Sequence, residues 1–272
     1  MARTVLVTGA NSGLGLETAL HVAGLGFRVV GTARSEEKAE VLEKAASEAG
    51  ASVETAVVDV TDRQGCQELV ASVEPWGLVN NAGYMNAGAV IDISEEEALR
   101  QLHVMVVAPM RLAAQALPFM RRRGEGRIVN VSSVQAHATG AMTGWYGASK
   151  HALSAVTDAL RREVAAYGVD VVLIEPGGLK TGIWDKARDD LLRRREGSAR
   201  PTAYDRSLQI LEKTRRRMGD PRRAAEVIGR ALTASRPRAH YRVGRDAPVV
   251  ELLNIVVPNR VKDRLLRRAI GG

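Results

Sequence analysis

The 272-residue chain is 45% hydrophobic and 26% charged, which is enough apolar content to bury a sizeable core. Its formal charge of +8 raises nucleic-acid binding, but the arginine runs at 121–123, 193–195, 215–217 and 267–268 are dispersed. Only 4% of residues are aromatic, so base stacking lacks a platform and no nucleic-acid partner is expected.

Cys66 is the single cysteine, which excludes an internal disulfide, and the histidines lack ligand spacing, so no metal is expected. Met1-Ala2-Arg3-Thr4 runs straight into an apolar segment without a signal-peptide core. No apolar run approaches the about 20 residues of a bilayer span. A cytoplasmic location without stable membrane insertion is the expectation.

Residues 4–7 form a short β-branched strand that enters a glycine-rich turn, followed by an amphipathic helix over 14–26. A second strand covers 27–32, and Ser35 caps a Glu/Lys/Ala-rich helix reaching 49. Strand three covers 53–58, with Thr61 or Asp62 capping the next helix, and strand four covers 76–80. Ser94-Glu95-Glu96-Glu97 is an N-cap with an acidic first turn, opening a long helix that ends around 121–124. Pro109 inside it requires a kink or break.

A fifth strand at 127–132, a helix at 145–167 and a sixth strand at 169–174 complete six alternations. That order predicts an α/β fold, a Rossmann-like doubly wound parallel sheet with helices on both faces. Residues 183–218 are polar and helix-prone, and predict a mobile helical lid over the substrate. Asp220-Pro221 starts another helix, a short strand follows at 240–243, and the tail at 247–272 has helical character. One domain, 1–272, is the expected count.

Thr8-Gly9-Ala10-Asn11-Ser12-Gly13-Leu14-Gly15 lies between the first strand and first helix. Glycines there let a backbone approach a pyrophosphate, while the helix N-terminus supplies free amides. The second strand exits through Thr32-Ala33-Arg34-Ser35, with no carboxylate for the ribose hydroxyls of NAD. Arg34, with Ser35 as an added donor, suits a 2′-phosphate and predicts NADP(H). Asp59-Val60 ends the third strand, where the carboxylate can accept from an adenine amino group or serve as a turn residue. Asn80-Asn81-Ala82-Gly83 closes the fourth strand with small groups suited to adenosine contact or to a sharp turn.

Ser132-Ser133 ends the fifth strand, at the sheet edge where such folds bind ligands. Tyr146 and Lys150 are separated by four residues at the start of the next helix and so share a face. A nearby ammonium would lower the Tyr146 pKa into a useful range. His137 and His151 lie close by, but unpaired histidines are more often polar surface or loop residues. Residues 139–145 are expected to form part of the substrate wall, and Trp145 suits either substrate contact or packing.

With these residues in place, the chain resembles the short-chain dehydrogenase/reductase family from Thr4 to about Val243. The likeness is carried by residues 8–15, 80–83, Ser133, Tyr146–Lys150 and Pro176-Gly177-Gly178-Leu179-Lys180-Thr181. The resemblance implies Ser133, Tyr146 and Lys150 as catalytic residues. Tyr146 would exchange the proton with a carbonyl or alcohol, Ser133 would hold the substrate oxygen, and Lys150 would bind the nicotinamide ribose and tune Tyr146. It implies cofactor contacts at Gly9, Asn11, Ser12, Gly13, Leu14, Gly15, Arg34, Ser35, Asp59, Val60, Asn81, Ala82, Gly83, Tyr146, Lys150, Pro176, Gly177, Leu179 and Thr181. Leu179 and Thr181 would face the carboxamide and the phosphates.

The family's usual helix asparagine is replaced by Met105, whose thioether accepts hydrogen bonds only weakly. Either the proton relay runs through backbone carbonyls and water, or turnover is slow. The expected activity is interconversion of a small-molecule carbonyl and an apolar secondary alcohol by a homodimer or homotetramer. The steroid, retinoid and fatty-chain classes enter by family analogy. An NAD-dependent alcohol dehydrogenase and a cofactor-sensing binding protein are the rival readings. The basic tail suits packing on the domain, a dimer contact or an anionic membrane surface.

Overall fold

A computed structural model describes residues 2–244 and 257–270. Among them, seven strands form one sheet: β1 Thr4–Val7, β2 Arg28–Ala33, β3 Val53–Val57, β4 Gly77–Asn80, β5 Gly126–Val131, β6 Val169–Pro176 and β7 His240–Val243. Their order is β3-β2-β1-β4-β5-β6-β7, and every pairing is parallel. The order reverses between β1 and β4, which opens a crevice at the carboxyl edge. The doubly wound fold read from the alternation is the one observed, and the short strand at 240–243 joins the sheet as its seventh member.

The helices are α1 Gly13–Gly24, α2 Glu36–Glu48, α3 Arg63–Val73, α4 Glu95–Leu102, α5 Ala108–Arg123, α6 Gly144–Val164, α7 Ile183–Arg195, α8 Pro201–Arg215, α9 Pro221–Thr233 and α10 Asn259–Ile270. Strand side chains alternate between the two faces of the sheet. Val5 and Val7 pack with α1, α2 and α9 residues such as Val22, Leu42 and Ile228. Leu6 packs oppositely with α3 and α5 residues such as Val70 and Leu112. The same split recurs on β6, where Val172 and Ile174 face one layer and Val169 and Val171 the other. Each such fully buried aliphatic side chain contributes roughly 1.5–3 kcal/mol, so the inner strands hold the layers together.

The long helix is interrupted as Pro109 requires. A π-helical turn, His103–Val107, separates α4 from α5. Together they make one helical run of 29 residues, Glu95–Arg123, whose length and composition would suit a bilayer span. This corrects the sequence-based reading that no such stretch exists. The run instead buries Ala108, Leu112, Ala113, Ala116 and Met120 against the sheet, which accounts for its apolar content.

Helices α7 and α8, the segment expected as a lid, take part in a third apolar cluster. Ala187, Leu191, Ala203, Tyr204 and Leu211 pack with Met85, Met105, Met142 and Tyr146. The lid is docked by Arg194, which makes two hydrogen bonds to Glu97 at 2.6 and 2.9 Å and donates to the carbonyls of Ala87 and Asp92. Tyr204 donates to Asp92 at 2.7 Å and accepts from the Ala89 amide. Helix α10 lies against α8, with Arg206 donating to the Arg268 carbonyl at 3.3 Å. Residues 245–256 of the expected tail, and 271–272, lie outside the described residues.

Candidate active site

A cavity of about 810 Å³ opens at the carboxyl edge of the sheet, between the β1 turn, β2, β4, β5, the start of α6 and the lid. At one end lies the glycine-rich turn. Gly9 has φ +65°, a left-handed conformation that glycine adopts without cost. A Cβ at Gly15 would run into the Gly9 carbonyl oxygen and the Asn81 amide, so only hydrogen fits. Asn81 staples the turn to β4: its side-chain amide donates to the carbonyls of Thr8 (3.0 Å) and Gly9 (3.2 Å). Thr8 Oγ1 in turn accepts from the Asn81 and Ala82 amides, each at 3.0 Å.

Ser12 occupies the N-cap of α1 without a side-chain capping bond. The helix therefore presents its first amides and partial positive charge to the cavity. A shallow glycine floor, a close backbone and uncapped amides fit a pyrophosphate. Asn11, Ser12, Gly13 and Leu14 all line this end, as do Ala82 and Gly83.

At the end of β2, Arg34 lines the cavity, whereas Ser35 does not. Ser35 is the α2 N-cap residue, again without a side-chain bond. Asp59 and Val60 line the same end of the cavity. Burial opposes charge on Asp59, but hydrogen bonds from the Thr61 amide and hydroxyl, with Arg100 and Arg34 nearby, outweigh it and hold the carboxyl below its ordinary pKa. Lys38 on α2 and Lys186 on α7 also face this end. Sequence reasoning misses both, because a lysine on a polar helix carries no signal of what lies across from it.

At the other end Ser133, Tyr146 and Lys150 converge on the cavity wall, each under one-tenth exposed. Ser133 Oγ accepts from the Gln135 amide at 3.1 Å, and its hydroxyl favours the ionised form of the neighbouring Tyr146 phenol. Lys150 Nζ donates to the Val131 carbonyl at 2.8 Å and lies 5.6 Å from the centre of the Tyr146 ring. The electrostatics differ from the sequence-based expectation. Burial pushes the Tyr146 phenol up to about 12, with the Ser133 hydrogen bond pulling only weakly against it. Burial also brings Lys150 down to about 7. Desolvation is the largest influence on both groups, and it favours the neutral form of each.

Pro176, Gly177, Leu179 and Thr181 line the cavity between its two ends. Trp184 at the base of α7 donates from its indole to the Leu179 carbonyl at 2.8 Å and faces inward beside Ile183. Residues 139–145 do not line the cavity. They pack behind it on the 88–90 loop, where Gly88 donates to the Met142 carbonyl and the Trp145 indole donates to the Val90 carbonyl. Tyr84, Asn86 and Val104 line the cavity together with Ile183, Trp184 and Lys186 of α7.

Met105 is buried at the cavity wall, its sulfur 3.6 Å from the Gln101 side-chain amide. The Gln101 carbonyl oxygen beside it is buried without a partner. The two histidines are not unpaired. His137 Nε2 bonds the fully buried Glu175 carboxylate at 2.7 Å, and Glu175 also engages His240 at 3.2 Å. His151 Nδ1 donates to the Gly147 carbonyl within α6. The Glu175 partner comes from β6 and is not visible in local sequence, whereas Gly147 is one turn earlier in the same helix.

Comparison with known proteins follows the same lines. The short chain dehydrogenase family matches residues 3–192. The chain is 31% identical to an NADPH-dependent 3-dehydrocapnine reductase of Ornithobacterium rhinotracheale, over 97% of this chain and 95% of that protein. It is 30% identical to a 3-ketodihydrosphingosine reductase of Bacteroides thetaiotaomicron, over 98% and 96% of the two chains. Among solved structures, a single-substitution variant of actinorhodin polyketide ketoreductase with NADPH superposes with a TM-score of 0.75 at 29% identity, covering 90% of this chain and 97% of that one.

Proposed function

Because the chain belongs to the short-chain dehydrogenase/reductase family of oxidoreductases, we propose that it reduces a carbonyl to a secondary alcohol with NADPH. The single observation that carries this reading is the convergence of Ser133, Tyr146 and Lys150 on the wall of the same cavity that the glycine-rich turn lines. A reduction needs a proton donor at the carbonyl oxygen, and a phenol held neutral by burial is in the right form. NADPH, when bound, supplies the hydride.

In this reading Ser133 donates to the substrate oxygen and fixes it beside the Tyr146 hydroxyl. The Gln135 amide holds Ser133 Oγ, so its hydrogen is free to turn towards Tyr146 or substrate. Lys150, anchored to the Val131 carbonyl, binds the nicotinamide ribose and returns a proton to Tyr146 after transfer. The glycine turn and the α1 amides take the pyrophosphate, and Arg34 takes the 2′-phosphate. Val104, Met105, Leu179, Ile183 and Trp184 give the cavity an apolar wall, which favours an apolar carbonyl compound. The names of the two reductase relatives support the reading: one is NADPH-dependent, and the other acts on a keto compound.

A panel of carbonyl and alcohol compounds with NADPH or NADP, run beside Tyr146→Phe, tests the proposal. Loss of about 10²-fold or more in turnover with nucleotide binding retained is expected. Turnover untouched by the change would reject Tyr146 as proton donor. Arg34→Asp should lower the preference for NADP over NAD.

A further inference from the structure

We propose that Lys186 of the lid helix binds the 2′-phosphate of the nucleotide together with Arg34 and Lys38, so that this phosphate ties the lid to the sheet edge. The inference rests on the NADP(H) reading above and assigns to the lid a part in it.

The three cations reach one end of the cavity from separate elements: Arg34 from the end of β2, Lys38 from α2, and Lys186 from the first turns of α7. None of the three forms an ion pair or a side-chain hydrogen bond among the described residues. Four other basic residues of this segment are paired, Arg193 with Asp190, Arg194 with Glu97, Arg195 with Asp205 and Arg215 with Asp185, and of the described basic residues of 183–218 only Lys186 lines the cavity. The nearest carboxylates are engaged elsewhere or too far to pair. Asp59 is held by Thr61, and Glu37 acts on Lys38 without forming an ion pair.

Bringing three unpaired like charges to one concavity is unfavourable, and it shows. Burial, and then the charges of Arg34 and Lys186, push the Lys38 ammonium below the ordinary lysine value. A phosphate monoester, with close to two negative charges and three acceptor oxygens, supplies what this cluster lacks.

Lys186 sits on the same helix as Ile183 and Trp184, which line the cavity. Fixing Lys186 at the phosphate therefore also fixes the wall that meets substrate. A nucleotide without the 2′-phosphate would leave the start of α7 attached only through bonds within the protein.

The test uses the full chain and two nucleotide probes, adenosine 2′,5′-bisphosphate and adenosine 5′-monophosphate, with affinity measured by calorimetry and hydrogen exchange followed over 183–195. Wild type should bind the bisphosphate more tightly and slow exchange in α7 with that probe alone. Lys186→Gln should lose about tenfold of the bisphosphate affinity, keep its monophosphate affinity and lose the α7 response. Lys186→Arg should retain most of both. Lys186 is exposed, so its substitution leaves the fold intact. If Lys186→Gln keeps the full preference while Arg34→Gln loses it, or if α7 responds equally to both probes, the role of Lys186 is overturned and the cofactor reading stands. If wild type shows no preference for the bisphosphate, the cofactor reading fails and this inference with it.

Discussion

Arg194 of the lid grips Glu97, the residue that also completes the capping box of α4 by accepting from the Ser94 amide. One carboxylate thus serves both a helix end and the latch across the cavity. Arg194→Ala removes two charge-assisted bonds and leaves two loop carbonyls without their donor. About 2 kcal/mol of stability should be lost, or roughly 4–8 °C in Tm for a chain of this size.

The same latch is acid-sensitive. The Arg194 hydrogen bond holds the Glu97 carboxyl below its ordinary pKa. Its contribution is therefore fully present above the ordinary carboxylate range, and is lost as pH falls through the lowered folded value. Protection of α7 amides, taken relative to the intrinsic exchange rate at each pH, should fall in acid in wild type. Arg194→Ala should show low protection at every pH, and an acid response in that variant as large as in wild type would count against the latch.

Lys150 is expected to trade stability for chemistry. Its pKa falls to about 7 on burial, so the unfolded chain binds the extra proton between about pH 7 and the ordinary lysine value. Wild-type stability should therefore rise with pH across that window, while the full cost of burying the ammonium is felt below it. Lys150→Met should abolish turnover yet raise Tm at about pH 6, and this advantage should shrink towards about pH 10. A Tm difference that ignores pH would mean the buried amine is not the source.

Met105→Asn tests whether the missing asparagine matters. Lys150 already holds a backbone carbonyl, that of Val131, so the route to its proton does not pass through side chain 105. The expected outcome is a kcat within about threefold of wild type, less than about 1 kcal/mol in barrier. A rise of about tenfold or more would show that the thioether slows the enzyme.

Gly15→Ala should cost at least about 1–3 kcal/mol and remove nucleotide binding, because the new methyl has neither space nor a neighbour able to yield. Gly24 provides the contrast. It lies in the same helix with open space around it, and Gly24→Ala should raise stability by roughly 0.5–1 kcal/mol. Thermal melts of the two variants read both signs.

Much of this architecture is legible in the chain, because strands such as Thr4–Val7 and helices such as Glu36–Glu48 carry their period and punctuation locally. The Ser94 capping box and the Pro109 break are local too, and both are present. Partners distant in sequence are not readable in this way. His137, just beyond β5, meets Glu175 on the neighbouring β6, and Lys186 meets the β2 end only because α7 folds back over it. The pKa of Tyr146 departs from its sequence-based expectation for a related reason. Spacing reveals which charge is near, but not how little water remains around it.

The lid's apolar cluster is separate from the two that hold the sheet. Changes at Ala187, Leu191, Ala203 or Leu211 can therefore reshape one side of the cavity while the layers beneath keep their contacts. Mutations gathered there would change the cavity's α7 side long before they endangered folding.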